Sequence, residues 1–236
     1  MKPLKNWDNK TWLSSKKYIS SFHRHLKLEI NFKKDTKILD IGCGRANIIS
    51  YLQRKYKFHK KPIGLDIIRN KQTKKNIIFI KKDAIKYLEN SEDNFDLILI
   101  KQTIHFLKKR EINRLLSLAK KKLTQKGKII ILFIKLNKNQ FPYFKKMKKE
   151  LDKSLKRDRS IIKIIKKKFL KYKKNNFIFK VSISKKTYIK MINGRFISCL
   201  LNFPKKEIKK GLNEIQSKYK KKIHFNDMLD CLIYQN

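Results

Sequence analysis

The stretch Lys37-Ile-Leu-Asp-Ile-Gly-Cys-Gly-Arg-Ala-Asn-Ile-Ile-Ser-Tyr-Leu52 decides the fold. Lys37 to Ile41 is a short apolar run that reads as a strand. Gly42-Cys43-Gly44 is a turn, and Ala46 to Lys55 carries the apolar spacing of a helix. Glycines at 42 and 44 let the backbone turn sharply and let a ligand approach the main chain. Asp66 ends the next strand, 22 residues after Gly44, where a carboxylate can accept both ribose hydroxyls of a nucleoside. Asp83 closes a third strand and Asp96 opens a fourth, so scarce acids stand at strand ends. The full Gly-x-Gly-x-x-Gly of a dinucleotide site is missing, since Asn47 takes the place of its last glycine.

Strands alternate with helical stretches outward from this segment. Strands are expected at 62–66, 76–80, 95–100 and 128–134, with a helix at 108–123 and a Lys126-Gly127 turn before the fifth strand. A long basic helix then covers Phe141 to Tyr172. After it come a strand at Phe177 to Ser184, helices at 187–201 and 205–221, and a last strand at 223–234. The order β-α-β, repeated, predicts a doubly wound, mostly parallel sheet of seven strands in one domain over 1–236. Within it we expect a helical lid at 1–30, a core at 31–137, and a C-terminal half at 138–236 carrying substrate-cap helices. The lid would be built on Trp7, Trp12, Tyr18 and Phe22.

The chain has 236 residues, with 63 Lys plus Arg against 18 Asp plus Glu, a formal charge of +45. Such an imbalance ordinarily points to nucleic acid. Here it comes with 34 Ile but one Val, and 54 Lys but nine Arg, a skew toward AT-rich codons. The longest uninterrupted apolar run, Ile129 to Ile134, is far short of the ~20 residues of a membrane span. With no secretory h-region and three scattered cysteines, the sequence reads as a cytoplasmic protein with reduced thiols. His23 and His25 are too isolated to propose a metal.

Between Lys37 and Ile134 the sequence resembles, motif by motif, the class I S-adenosylmethionine-dependent methyltransferases. The resemblance implies a Rossmann-like fold and S-adenosyl-L-methionine as cofactor. It implies that Asp40, Gly42, Cys43 and Gly44 hold the methionine part, that Asp66 with Ile67 binds the ribose, and that Asp83 with Ala84 meets the adenine. Lys101, Gln102 and His105 would border the transferred methyl. Where the family usually has a third glycine this chain has Ala46. The string from Ile100 to Leu107, with the segments Tyr188–Ser198 and Ile223–Leu229, is similar to small-molecule methyltransferases of the trans-aconitate type.

The expected activity is methyl transfer to a small metabolite, acidic on the reading that Arg195, assisted by Lys101, grips a carboxylate. Tyr188 and Trp12 are further substrate-binding candidates, with Tyr188, Met191, Arg195 and Ser198 near one face of their helix. His105 is the candidate general base, because an ordinary imidazole titrates near neutral pH. Two alternatives stand beside this. One is an RNA methyltransferase whose basic helix tracks a backbone while Phe144, Phe169 and Tyr172 stack bases. The other is a cofactor-binding module without turnover.

Overall fold

The computed structural model describes residues 11–137 and 140–236. Trp7, part of the expected lid, lies outside the described residues. Strands β1 (Ile38–Ile41), β2 (Ile63–Asp66), β3 (Ile78–Lys81), β4 (Phe95–Lys101), β5 (Leu123–Ile134), β6 (Lys173–Ser184) and β7 (Lys222–Gln235) form one sheet in the order β3-β2-β1-β4-β5-β7-β6. The first five are parallel, while β7 runs antiparallel to both of its neighbours, β5 and β6. This is the Rossmann-like architecture the sequence predicts. The chain steps outward from β1 to β3 and then returns to β4 on β1's other side. That reversal opens a crevice at the carboxyl ends of β1 and β4, the ordinary ligand position in such sheets.

Helices cover both faces, so the central strands are apolar on both sides rather than alternating with polar residues. Leu97, Leu99, Ile130 and Leu132 face a core shared with helices α1 (Lys16–Lys27) and α2 (Asn47–Tyr56) and with α6 (Lys185–Asn193) and α7 (Lys205–Lys218). Ile98, Ile100, Ile129 and Ile131 face the other core, with α3 (Ala84–Asn90) and α4 (Lys109–Lys121). The long helix α5 (Lys145–Lys168) serves both. Its Met147, Leu151 and Leu155 join the first core, and its Ile161 and Ile165 join the second.

Helix α3 is missing from the sequence reading. It is one short stretch of seven residues, and its start is fixed by Asp83, whose Oδ1 accepts from the N–H groups of Ile85 and Lys86 at 3.0 and 3.1 Å. The Lys126-Gly127 turn is instead an irregularity inside β5, where the register against β4 jumps between Phe95 and Leu97. A side chain at Gly127 would stand 2.7 Å from the Phe95 carbonyl oxygen, so only glycine lets the strands come together there. The helix expected to reach Leu201 stops at Asn193. Gly194 caps it, Arg195 turns left-handed at φ 51°, and the Phe196 N–H closes back on the Met191 carbonyl. Tyr188 and Arg195 therefore do not share a helix face. Phe144 and Phe169 are 2% and 1% exposed and cannot stack on bases as the RNA reading requires; of that trio Tyr172 alone reaches solvent.

Ala46 is left-handed at φ 59° and fully buried at the start of α2. That backbone costs an ordinary residue about 1–2 kcal/mol, while the buried methyl returns about 0.8 kcal/mol. Ala46→Gly is therefore expected to change unfolding free energy by less than about 1 kcal/mol, whereas Ala46→Val, β-branched at positive φ, loses about 2 kcal/mol or more. Urea denaturation of the two variants checks both.

Candidate active site

The glycine turn after β1 is built for two different reasons. At Gly42, φ 73°, an added Cβ would lie 2.0 Å from the Thr103 hydroxyl oxygen, so the turns after β1 and β4 touch through this residue. At Gly44, φ 57°, an added Cβ would meet nothing within 4 Å, so the need there is conformational and the space above the main chain stays open. Asp66, at the end of β2, accepts from the Gly44 N–H at 2.9 Å and from the Ile68 N–H at 3.1 Å. It therefore fixes the turn from the neighbouring strand. Cys43 points toward β2, where Gly64 leaves room for it: a Cβ on Gly64 would be 2.8 Å from its sulfur.

A cavity of about 390 Å³ opens at these strand ends. Gly42, Asp66, Ile67, Asp83, Ala84 and Gln102 line it, as does Trp12. Asp40, Cys43, Gly44 and Lys101 are not among its lining residues and act from beneath. Gln102 sits left-handed at φ 53°, a strained backbone of the kind that collects at functional turns. Asp96 has a different place: at the start of β4 it accepts from the Lys37 N–H and the Thr124 hydroxyl, both within 2.8 Å, far along the sheet from the crevice. Its role is to clamp β1, β4 and β5.

Lys101 is not on the cavity wall because side chains alternate along a strand, and it shares the face of Leu97 and Leu99. Its ammonium lies over the rings of Tyr18 and Phe22, at 5.5 and 6.0 Å, and donates to the Gln102 Oε1 at 3.2 Å. Two buried acids feel it. Burial pushes Asp40 up to about 7, with Lys101 pulling the other way and Asp66 adding to the rise. Burial also raises Asp227, 2% exposed on β7, against the pull of Lys101 and of a 2.8 Å hydrogen bond donated by the Trp12 indole. The expectation that Lys101 meets a substrate anion gives way to an internal role, the countercharge of Asp40 and Asp227.

The expected lid divides likewise. Tyr18 and Phe22 pack edge-on against Phe177 in the core, and among the described residues of this region Trp12 and Leu13 line the cavity.

His105 lines the cavity in a 3-10 turn, Ile104–Phe106. Burial, then the charge of Arg157, lowers its imidazole to about 4, so it is neutral at physiological pH. A group that weakly basic is a poor proton acceptor but a serviceable neutral hydrogen-bonding partner. Arg157 donates to the His105 carbonyl, tying α5 to this turn.

Tyr188 and Arg195 are away from the lining. The Tyr188 hydroxyl, fully buried, donates to the Pro142 carbonyl beside Phe141. The Arg195 guanidinium donates to the carbonyls of Leu200 and Phe203, at 3.2 and 2.6 Å. Both hold loops that carry lining residues, Phe141 in one case and Phe196 to Cys199 in the other. Their polar groups are spent on main chain, because a bent connection leaves carbonyls that need donors.

Sequence reasoning missed Thr103, Phe141, Asp158, Phe196 and Asp227 in the lining. Two of these left a trace. Asp227 interrupts an apolar strand, and Asp158 occupies the apolar stripe of α5 between Leu155 and Ile161. Among the described residues, no group of His, Cys, Asp and Glu is placed to hold a metal, and no helix is long and apolar enough to cross a membrane.

The family model described as "Methyltransferase domain" matches residues 32–223. Among solved structures, an S-adenosylmethionine-dependent methyltransferase from Archaeoglobus fulgidus is similar, at 21% identity over 94% of this chain and 95% of that one, with a TM-score of 0.55. The plantazolicin methyltransferase BpumL, in complex with a pentazolic desmethylPZN analogue and SAH, shares 16% identity over 98% and 88%, with a TM-score of 0.52. The N-methyltransferase NodS from Bradyrhizobium japonicum WM9, in complex with S-adenosyl-L-homocysteine, shares 11% over 97% and 92%, also at 0.52. No curated protein matches the sequence.

Replacing Lys101 by Met is expected to destabilise the fold by roughly 3 kcal/mol at pH 8, because two buried carboxylates lose their cation. An acid whose folded pKa is raised contributes least stability above that pKa and most below its unfolded value near 3.9. The penalty should therefore shrink between pH 8 and pH 5, as Asp40 takes up its proton. Denaturant melts of both proteins across that range measure it.

Proposed function

Because this chain belongs to the methyltransferase-domain family, whose model spans residues 32–223, we propose that it transfers a methyl group from S-adenosylmethionine to a small molecule. The observation that carries the reading is the cavity at the switch point between β1 and β4, about 390 Å³ and inside the 300–1,000 Å³ range of small-molecule sites. The solved structures named above, two of them holding SAH, support the cofactor. Its fit rests on this chain's own residues. The open space over Gly44 admits a ligand to the main chain, Asp66 stands where ribose hydroxyls would be accepted, and Ile67, Asp83 and Ala84 line the region beside it.

When bound, the cofactor would supply an activated methyl carbon on a sulfonium. The protein has no covalent nucleophile to provide; it supplies alignment and a dry surround. Gly42 and Thr103 fix the distance between the two strand-end turns. Asp66 holds Gly44 in its left-handed shape. Trp12, Phe141 and Phe196 wall the cavity with rings and keep water from the reacting atoms. His105, neutral, orients an acceptor group rather than taking its proton.

The small-molecule, trans-aconitate-like branch remains our reading of the segment from Ile100 to Leu107. An acidic substrate is no longer part of it, since Arg195 is engaged with the Leu200 and Phe203 carbonyls.

S-adenosylhomocysteine should raise the melting temperature of the wild-type protein, and NADH should not. Asp66→Ala should weaken S-adenosylhomocysteine binding by a factor of 10 to 100, the worth of about 1.5–3 kcal/mol for hydrogen bonds to a charged group. Calorimetry in which the variant binds as tightly as wild type would remove Asp66 from the site.

A further inference from the structure

Asp158 is a buried acid in the lining whose chemistry nothing above uses. It stands on α5 where the apolar stripe Met147, Leu151, Leu155, Ile161, Ile165 would otherwise continue, in a helix whose remaining surface is mostly lysine. It is 7% exposed, it lines the cavity, and among the described residues its Oδ1 has no hydrogen-bond partner. A buried acceptor left without a donor is costly, and a carboxylate more so than a neutral group.

The other polar groups of the cavity do not relieve it. Asp227 is held by the Trp12 indole, and Arg157, the neighbour whose charge favours the ionised form, donates to the His105 carbonyl. Burial outweighs that charge and pushes Asp158 up to about 6, so the carboxylate is largely ionised at pH 7 and lacks a cation seated on it. Apolar side chains share the cavity wall with it: Leu151 and Leu155 from its own helix, with Phe141 and Phe196.

We infer that Asp158 is the anchor for an amine: the substrate is a largely apolar, ring-sized molecule whose N–H group donates to the Asp158 carboxylate where it lines the cavity. This deepens the methyltransferase reading and rests on it. An ammonium or amine satisfies both lone pairs and charge, where a hydroxyl satisfies only the former and a carboxylate is repelled. The inference is opposite in sign to the acidic substrate expected from Arg195.

The test titrates 2-phenylethylamine, 2-phenylethanol and 3-phenylpropionate into the protein loaded with S-adenosylhomocysteine, by calorimetry at pH 7.5. The amine should bind at least tenfold more tightly than the carboxylate, with the alcohol between them. Asp158→Asn should lose at least tenfold for the amine and keep S-adenosylhomocysteine affinity within twofold. Asp158→Leu, which restores the apolar stripe, should fold at least as stably as wild type and also lose the preference, so a folding defect in one variant does not decide the matter. Equal or tighter binding of the carboxylate, no amine binding at all, or an unchanged amine preference in both variants overturns the proposal. If wild type fails to bind S-adenosylhomocysteine, the cofactor reading falls instead. The same three titrations on the unloaded protein then judge Asp158 separately.

Discussion

Everything at the carboxyl edge of the sheet depends on one half-buried ammonium. Asp40 and Asp227 enter from β1 and β7, strands separated in the sheet by β4 and β5, and each is at least 95% enclosed. Burial raises both carboxyls and disfavours the ionised form of each. Lys101 at the end of β4 lies between them in sheet order and lowers both. Its stem packs beneath α1, and its charge also rests on the faces of Tyr18 and Phe22. One residue thus joins the cofactor turn, the first helix and the last strand. A protein with 63 basic residues uses one of them where hydrophobic packing alone could not hold acids together.

That joint explains why the cavity has two characters. Above the β1 turn it is shaped by main chain: the close approach of Gly42 to Thr103 and the helix cap at Asp83. Toward α5 and the C-terminal strands it is shaped by rings and by acids withheld from water. The first half could be carried by many sequences that obey the same backbone demands. The second half is particular to this chain, and substrate choice must reside there.

The strands, their order of appearance and the glycine turn were legible because each follows from local spacing: short apolar runs, glycine at positive φ, an acid 22 residues on. Side-chain destinations were not. Lys101 was read as facing the ligand because it follows a strand near the switch point, yet strand alternation put it on the opposite side from Gln102. Arg195 was read from its rarity, but a helix that ends at Gly194 turned it toward carbonyls. Phe144 and Phe169 looked like exposed platforms inside a lysine run, and only tertiary packing shows them sealed in the cores. Asp158 shows the limit from the other side. Its place in an apolar stripe was visible in the sequence, but only the cavity beside it gives that anomaly a meaning.

Strand β7 lies between β5 and β6, and its Asp227 receives the indole of Trp12, 215 residues earlier. The five parallel strands can pair as each appears in the chain, but β6 has β7 as its sole neighbour, so the antiparallel part waits for β7 to pair with both β5 and β6. Contacts that span so much chain form late, because loop closure must be paid for before they reward it. The cavity wall made by Trp12, Phe141 and Asp227 is thus a product of the final step of assembly. A half-folded chain would own the glycine turn without the enclosure, and so could dock the nucleoside end of a ligand while leaving the methyl end open to water.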